Sequence, residues 1–286
     1  MRPSQWAKNL FIFLPLFFYG HINDVILLKR AIIAFAAFSL VASSIYCFND
    51  LIDVKNDRQH PKKKFRPIAS GTVSPIMATL LFSVAICGGL MTTLLLPAYE
   101  AMRLSAILLT YAIINIAYCL KLKRIAIIDI IIVATGFVLR ILAGGVSTET
   151  PISHWIVLLT FLLALFLTVA KRRDDVIIYE QSGKKMRSNI NRYNHQFIDQ
   201  SMCIVSTLCM ICYIMYSVSP DVISRFGTPW LYLTSVFVLA GILRYLQLTI
   251  VDIKSGSPTQ ILLHDRFIQA CIVGWILTFA LILYMK

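Results

Sequence analysis

Charge is scarce in this chain of 286 residues. Asp, Glu, Lys and Arg make up 14% of it, while 58% of the residues are hydrophobic; an average soluble domain carries roughly 25% charged residues. So apolar a chain is not disordered, and the composition argues against a soluble domain. Acidic groups are the scarcest: 14 Asp and Glu face 27 Lys and Arg, for a net charge of +13. In a soluble protein that excess would suggest a nucleic-acid partner. Here apolarity comes first, so no nucleic acid is expected and the cations belong in loops on one side of a membrane. A disulfide framework is missing too. The seven cysteines lie mostly inside apolar runs, and the one CxxC, Cys209 with Cys212, has no second pair. They read as small buried residues. There is no Gly-rich phosphate loop, no zinc-ligand spacing and no Ser–His–Asp set. No signal peptide is expected, because the apolar run begins at Leu10 and no small-residue cleavage site follows. With no soluble domain, linker or clear repeat, residues 1–286 read as a single polytopic membrane domain.

What is present is a series of apolar runs. They predict nine membrane helices near 9–28, 31–48, 75–97, 101–119, 125–146, 152–170, 200–218, 229–250 and 267–285. His21, Asn23 and Asp24 interrupt the first. Ser74-Pro75, Thr150-Pro151, Ser219-Pro220 and Thr228-Pro229 read as helix starts, since proline suits the first helical position and a hydroxyl can accept from a free N–H. With the N-terminus inside, 21 of the 27 Lys and Arg fall on the inner side and 5 on the outer, with Arg140 inside a span. This asymmetry predicts a cytoplasmic N-terminus and an external C-terminus in a multi-pass inner-membrane protein. The inner loops after spans two and six hold most of the polar chemistry.

The loop after span two carries Asn49, Asp50, Asp53 and Asp57. Positions 49, 53 and 57 drift only about 80° around a helix, and Asp50 falls in the same ~100° sector. Three carboxylates and an amide can therefore point one way at the mouth of a bundle. Grouped carboxylates repel, and each needs a cation. All-oxygen ligation suits Mg²⁺, which binds one or two carboxylates together with substrate phosphates, so a metal-bridged diphosphate is the natural guest. The plainer alternative is a solvated helix end with ion pairs to Lys55 and Arg58. Lys62, Lys63, Lys64 and Arg66 follow. They suit phosphate oxygens that the metal does not take, or else anchor anionic lipid headgroups. Arg66, fixed by Pro67, is the strongest single candidate.

The Asn-Asp-x-x-Asp-x-x-x-Asp pattern resembles the UbiA superfamily of membrane prenyltransferases. Further segments are similar to its decaprenyl-phosphate phosphoribosyltransferase branch: Arg2-Pro3-x-Gln5-Trp6-x-Lys8-Asn9, His60-Pro61-x-Lys63-x-x-Arg66-Pro67-Ile68-Ala69-Ser70-Gly71, Gly136-Phe137-Val138-Leu139-Arg140, and Gly256-Ser257-Pro258 with Asp265-Arg266. The resemblance spans essentially the whole chain. It implies an all-α, nine-helix UbiA-type bundle with a cytoplasm-facing cavity, Mg²⁺ as cofactor, and Asn49, Asp53 and Asp57 as metal ligands. It implies catalytic roles for Asp53, Asp57, Lys63, Arg66 and Asp175. Substrate contacts would come from Lys8, Asp50, Tyr118, Lys121, Lys123, Lys171, Arg172, Arg192 and Arg140. Spacing leaves open whether Lys121 or Lys123 faces the cavity, and whether Asp174 or Asp175 does. Aromatic prenyltransferases of the superfamily carry a second DxxxD at the end of span six. This chain has Lys171-Arg172-Arg173-Asp174-Asp175 instead, which implies a more highly charged substrate than a prenyl diphosphate.

The implied reaction transfers 5-phosphoribose from 5-phosphoribosyl diphosphate to a polyprenyl phosphate, with membrane lipids as surroundings. In that branch the product feeds cell-envelope glycan synthesis. Two rivals stand beside it. An aromatic prenyltransferase would consume a prenyl diphosphate; a non-enzymatic lipid-binding or transport protein would bind without turnover. Residues 181–197 read either as an amphipathic lid or as an interfacial loop. Arg140, about 16 Å deeper than Asp129 along span five, serves either the lipid or a structural hydrogen-bond set. A homo-oligomer is left open.

Overall fold

A computed structural model describes every residue except 1–2, 60–62, 184–188, 254–260, 262–263 and 285–286. Arg2, His60, Lys62, Lys184, Lys185, Arg187, Lys254 and the Gly256-Ser257-Pro258 segment therefore lie outside the described residues, as does the side chain of Lys63. The described residues form helices and connecting turns, without a strand. Seven helices among them are long and apolar enough to cross a membrane. The chain is an all-α multi-pass membrane protein. It divides into two compact units, Met1–Ile152 and Ser153–Lys286.

In the first unit a 3₁₀ run, Pro3–Phe13, leads into α1 (Leu14–Phe18). The expected first span over 9–28 is thus two short pieces. The next helix begins earlier than expected, at Val25, because the Asp24 carboxylate accepts from the Ile26 and Leu27 N–H groups at 2.8 and 3.1 Å. This is an N-cap, worth ~1 kcal/mol, and it turns His21–Asp24 into the end of one element and the start of another. Then follow α2 (Val25–Ile52), α3 (Val54–Gln59), α4 (Pro75–Thr93, capped by Ser74), α5 (Ala98–Leu120) and α6 (Ile128–Ser147).

Lipid offers no hydrophobic force to drive these helices together, so close van der Waals packing must hold them. Small residues provide it. Ala34, Ala37 and Ala42 of α2 are buried with Phe38, Val41, Leu104 and Leu108 in one core. A Cβ on Gly89 of α4 would come within 2.7 Å of Val41 Cγ2. The outward faces keep Ile76, Val84, Met91 and Ile113 exposed, as lipid contact requires.

The second unit holds α7 (His154–Ser182), α8 (His195–Ser217), α9 (Pro220–Phe226), α10 (Ser235–Leu246) and α11 (Arg266–Tyr284). The start of α7 is capped by Ser153, not by Thr150 as expected. A π turn, Gln247–Val251, extends α10. Its altered hydrogen bonding is met by Arg173, whose guanidinium donates to the Thr249 carbonyl at 2.7 Å and to Asp199 at 2.7 Å. An apolar cavity of about 280 Å³ lies within this unit, lined by residues including Phe166, Val238, Gly241, Tyr245, Cys271 and Trp275.

Gly144 of α6 marks the tightest approach in the first unit: a Cβ there would sit 2.0 Å from the Ile12 carbonyl oxygen. Gly144→Ala is expected to force the 3₁₀ run off α6 and to cost ~3 kcal/mol. Gly88→Ala would meet only Leu40 Cδ1 at 4.0 Å and should leave the melting temperature within a degree or two of the parent. Thermal unfolding of the detergent-solubilised chains checks both.

Candidate active site

The carboxylate stripe forms where α2 ends. Asp53 is the C-terminal cap of α2, and the helix breaks there before α3. The i→i+4 pattern survives the break, however. The Asp53 N–H donates to the Asn49 carbonyl at 3.0 Å, and the Asp57 N–H to the Asp53 carbonyl at 2.8 Å. Residues 49, 53 and 57 therefore keep the near-alignment that their spacing predicts.

Two cations from other segments neutralise the stripe. Arg66 places one nitrogen, Nη1, 3.1 Å from Asp50 Oδ1 and 2.6 Å from Asp57 Oδ2. Lys123 places Nζ 2.6 Å from Asp53 Oδ1. Asp50 and Asp57 are 8% and 3% exposed, so carboxylates without such partners would be costly there. Arg58 takes no such role: its Nε donates to the Ala69 carbonyl at 3.2 Å, stapling α3 to the turn after Arg66. The helix-end pairing that spacing allows for Arg58 is replaced by long-range pairs.

Lys123 sits in a single 3₁₀ turn, Leu122–Arg124, between α5 and α6. Lys121 caps α5 and is exposed. The structure thus distinguishes the two lysines by geometry: Lys123 reaches the stripe. Tyr118 is partly buried against the core of the first unit. Cys119, read from sequence as packing alone, donates its thiol to Asn49 Oδ1 at 3.4 Å. Lys63 lies in a 3₁₀ turn, Lys63–Phe65, and Lys8 is exposed on the N-terminal run.

Arg140 is not with the carboxylates. It is 4% exposed, and its Nε donates to Asn9 Oδ1 at 2.8 Å and its Nη1 to the Gly136 carbonyl at 2.6 Å. The guanidinium lies 4.8 Å from the Phe38 ring centroid and 5.2 Å from that of Tyr111. Asn9 in turn donates to Ser39 Oγ at 2.8 Å, and Trp6 Nε1 to Ser43 Oγ at 3.1 Å. These contacts make Arg140 a tie between the N-terminal run, α2 and α6. Hydrogen bonds and aromatic faces surround its charge, which is the structural hydrogen-bond set that the sequence left open beside a contact with the lipid.

In the second unit, Arg172 is 2% exposed and lies 3.5 Å from Asp175. Lys171 and Arg192 are exposed. Arg173, which sequence reasoning left without a role, holds the π turn. Asp265 pairs with Arg244, at 2.9 and 3.2 Å, and that guanidinium holds the Asp265 carboxyl below the usual carboxylate range.

Residues 10–284 match the UbiA prenyltransferase family. The chain belongs to this family. It is an enzyme, a UbiA transferase. A decaprenyl-phosphate phosphoribosyltransferase of Mycolicibacterium smegmatis is 33% identical over 299 residues, covering 100% of this chain and 92% of that protein. One from Corynebacterium glutamicum is 31% identical over 290 residues, covering 100% and 86%. Among solved structures, a UbiA homolog from Archaeoglobus fulgidus bound to DMAPP and Mg²⁺ superposes with a TM-score of 0.71 at 19% identity, covering 98% of this chain and 96% of that one.

The donor set of the UbiA stripe fits a hard divalent cation in kind, since Asn49, Asp53 and Asp57 offer only oxygen. In this conformation, however, no three His, Cys, Asp or Glu side chains among the described residues gather into a metal site. Arg66 and Lys123 hold the carboxylates instead.

Arg66→Gln removes the guanidinium that two buried carboxylates share. The expected loss is about 2 kcal/mol, below the 3–5 kcal/mol of a fully buried pair because Arg66 is partly exposed. Arg58→Gln loses one hydrogen bond to a carbonyl and should cost about 1 kcal/mol or less. Denaturation of the two variants in one detergent ranks them.

Proposed function

We propose that this UbiA enzyme transfers 5-phosphoribose from 5-phosphoribosyl diphosphate to a polyprenyl phosphate, releasing diphosphate. The observation that carries this reading is that relatives bearing the name decaprenyl-phosphate phosphoribosyltransferase align along the whole chain at about one-third identity. The basic Lys171-Arg172 lead-in ahead of Asp174 and Asp175 supports it, because the donor's 5′-phosphate adds negative charge beyond that of a prenyl diphosphate.

In this reading an oxygen of the lipid phosphate attacks C1 of the ribose. The new C1–O bond forms as the bond from C1 to the diphosphate oxygen breaks, and the electron pair leaves with diphosphate. The attacking oxygen is ionised near neutral pH, so no general base is needed. Attack opposite the leaving group gives inversion at C1. Catalysis is then positioning and charge neutralisation. Asn49, Asp53 and Asp57 would hold Mg²⁺, which when bound neutralises the leaving diphosphate. Arg66 and Lys123 would grip phosphate oxygens, with Lys63, Lys121 and Tyr118 beside them in sequence. In the second unit, Lys171 and Arg172 are proposed as phosphate contacts, with Asp175 3.5 Å from Arg172. The proposed orientation sets the stripe toward the cytoplasm, on the side where 21 of the 27 Lys and Arg fall.

The test is a membrane-fraction assay with labelled 5-phosphoribosyl diphosphate, polyprenyl phosphate and Mg²⁺. A labelled lipid should form with the parent and fall by about 100-fold with Asp53→Asn. Full turnover by Asp53→Asn would overturn the metal role. No labelled lipid, with a prenyl diphosphate consumed onto an aromatic acceptor, would move the chain to the aromatic prenyltransferase branch.

A further inference from the structure

The carboxylates proposed to hold metal and the cations proposed to hold phosphate are at present bound to each other. Asp53 is on Lys123 at 2.6 Å, and Asp50 and Asp57 share Arg66 at 3.1 and 2.6 Å. All these residues belong to the first unit, Met1–Ile152. Each set is the other's counter-ion. We infer that Lys123 and Arg66 act as internal stand-ins for the metal, so that a divalent cation and a diphosphate bind this site cooperatively and each binds poorly alone. The inference rests on the metal-diphosphate reading of the stripe but not on the identity of the group transferred.

The argument is electrostatic. A divalent cation arriving alone must displace Lys123 from Asp53 and Arg66 from Asp57. Lys123 then faces a dication at short range without its carboxylate, and Arg66 keeps only Asp50 of the two carboxylates it shares. A diphosphate arriving alone draws Lys123 and Arg66 to its oxygens. It leaves Asp50 and Asp57, 8% and 3% exposed, as carboxylates without that guanidinium beside a new polyanion. Both half-loaded states strand like charges in a setting where water screens poorly. Arriving together, metal and diphosphate let each carboxylate exchange an ammonium or guanidinium for the metal, and each cation exchange a carboxylate for phosphate. The number of matched pairs is kept. Coupling of this kind is reciprocal: the factor by which one ligand tightens the other is the same in both directions.

The arrangement also assigns Lys123 and Arg66 a second effect of opposite sign. By competing for the carboxylates they weaken metal binding in the absence of phosphate. By receiving the phosphate they strengthen diphosphate binding. A residue that merely stabilised the fold would not move the two affinities in opposite directions.

The test uses the full chain in detergent and isothermal titration calorimetry, with Mg²⁺ and inorganic diphosphate as probes and no turnover. Mg²⁺ should bind at least about tenfold tighter with diphosphate present than without it, a coupling of ~1.4 kcal/mol, and diphosphate should gain the same factor from Mg²⁺. In Lys123→Met, Mg²⁺ alone should bind several-fold tighter than to the parent, diphosphate several-fold weaker, and the coupling should shrink. Arg66→Gln should shift the same way and provides the variant measurement if Lys123→Met does not fold. Equal Mg²⁺ affinity with and without diphosphate in the parent would overturn the inference while leaving the transfer assay untouched. Loss of both affinities in Lys123→Met would likewise overturn the competing role of that lysine. Absence of any binding by either probe would overturn the inference together with the metal-diphosphate reading beneath it.

Discussion

Three carboxylates, Asp50 and Asp53 where α2 ends and Asp57 in α3 just beyond, repel one another, and their neutralisation shapes the surrounding structure. Asp53 draws the turn between α5 and α6 onto α2 through Lys123, a contact spanning 70 residues of sequence. Asp50 and Asp57 draw the segment after α3 back through Arg66. Arg58 closes the same segment by its bond to the Ala69 carbonyl. At this end of the first unit the charge pairs act beside buried apolar residues such as Ile68 and Ala69. The chemistry proposed for the site draws on the same balance, since an enzyme that transfers a group between phosphates needs both signs of charge held ready.

Away from the stripe, two buried cations serve the fold. Arg140 and Arg173 are both nearly inaccessible, at 4% and 6% exposure, and each is spent on backbone carbonyls and a polar partner. Arg140 ties the N-terminal 3₁₀ run to α6 through Asn9. Arg173 takes the carbonyl of Thr249 in the π turn. A guanidinium suits both tasks because its donors are several, rigid and fanned in one plane. Close helix contacts at Gly89 and Gly144 complete a packing scheme built on small residues and dispersion.

Much of this was legible in the sequence. Apolar runs and the Lys/Arg asymmetry mark a multi-pass helical membrane protein, and the i, i+4, i+8 spacing of Asn49, Asp53 and Asp57 survives in the hydrogen-bond pattern even though the helix breaks at Asp53. The start of α2 was misplaced because Asp24 looks like an interruption when only hydropathy is read, whereas its side chain is a cap. The long reach of Lys123 to Asp53 was not legible, because two lysines two residues apart differ only through the 3₁₀ turn that presents one of them. The role of Arg140 was undetermined for a similar reason: its partner, Asn9, lies 131 residues away. The bond from Cys119 to Asn49 left no mark in composition or spacing.

The central claim is that Lys123 and Arg66 trade the carboxylates for phosphate when the site is loaded. An experimental structure of the full chain, determined once without ligand and once with Mg²⁺ and diphosphate, tests it most directly. The account predicts Lys123 Nζ on Asp53 in the first, and in the second a divalent ion on Asp53 with Lys123 and Arg66 on phosphate oxygens. Diphosphate bound elsewhere, with the Asp53–Lys123 and Asp57–Arg66 pairs intact in both structures, would contradict it.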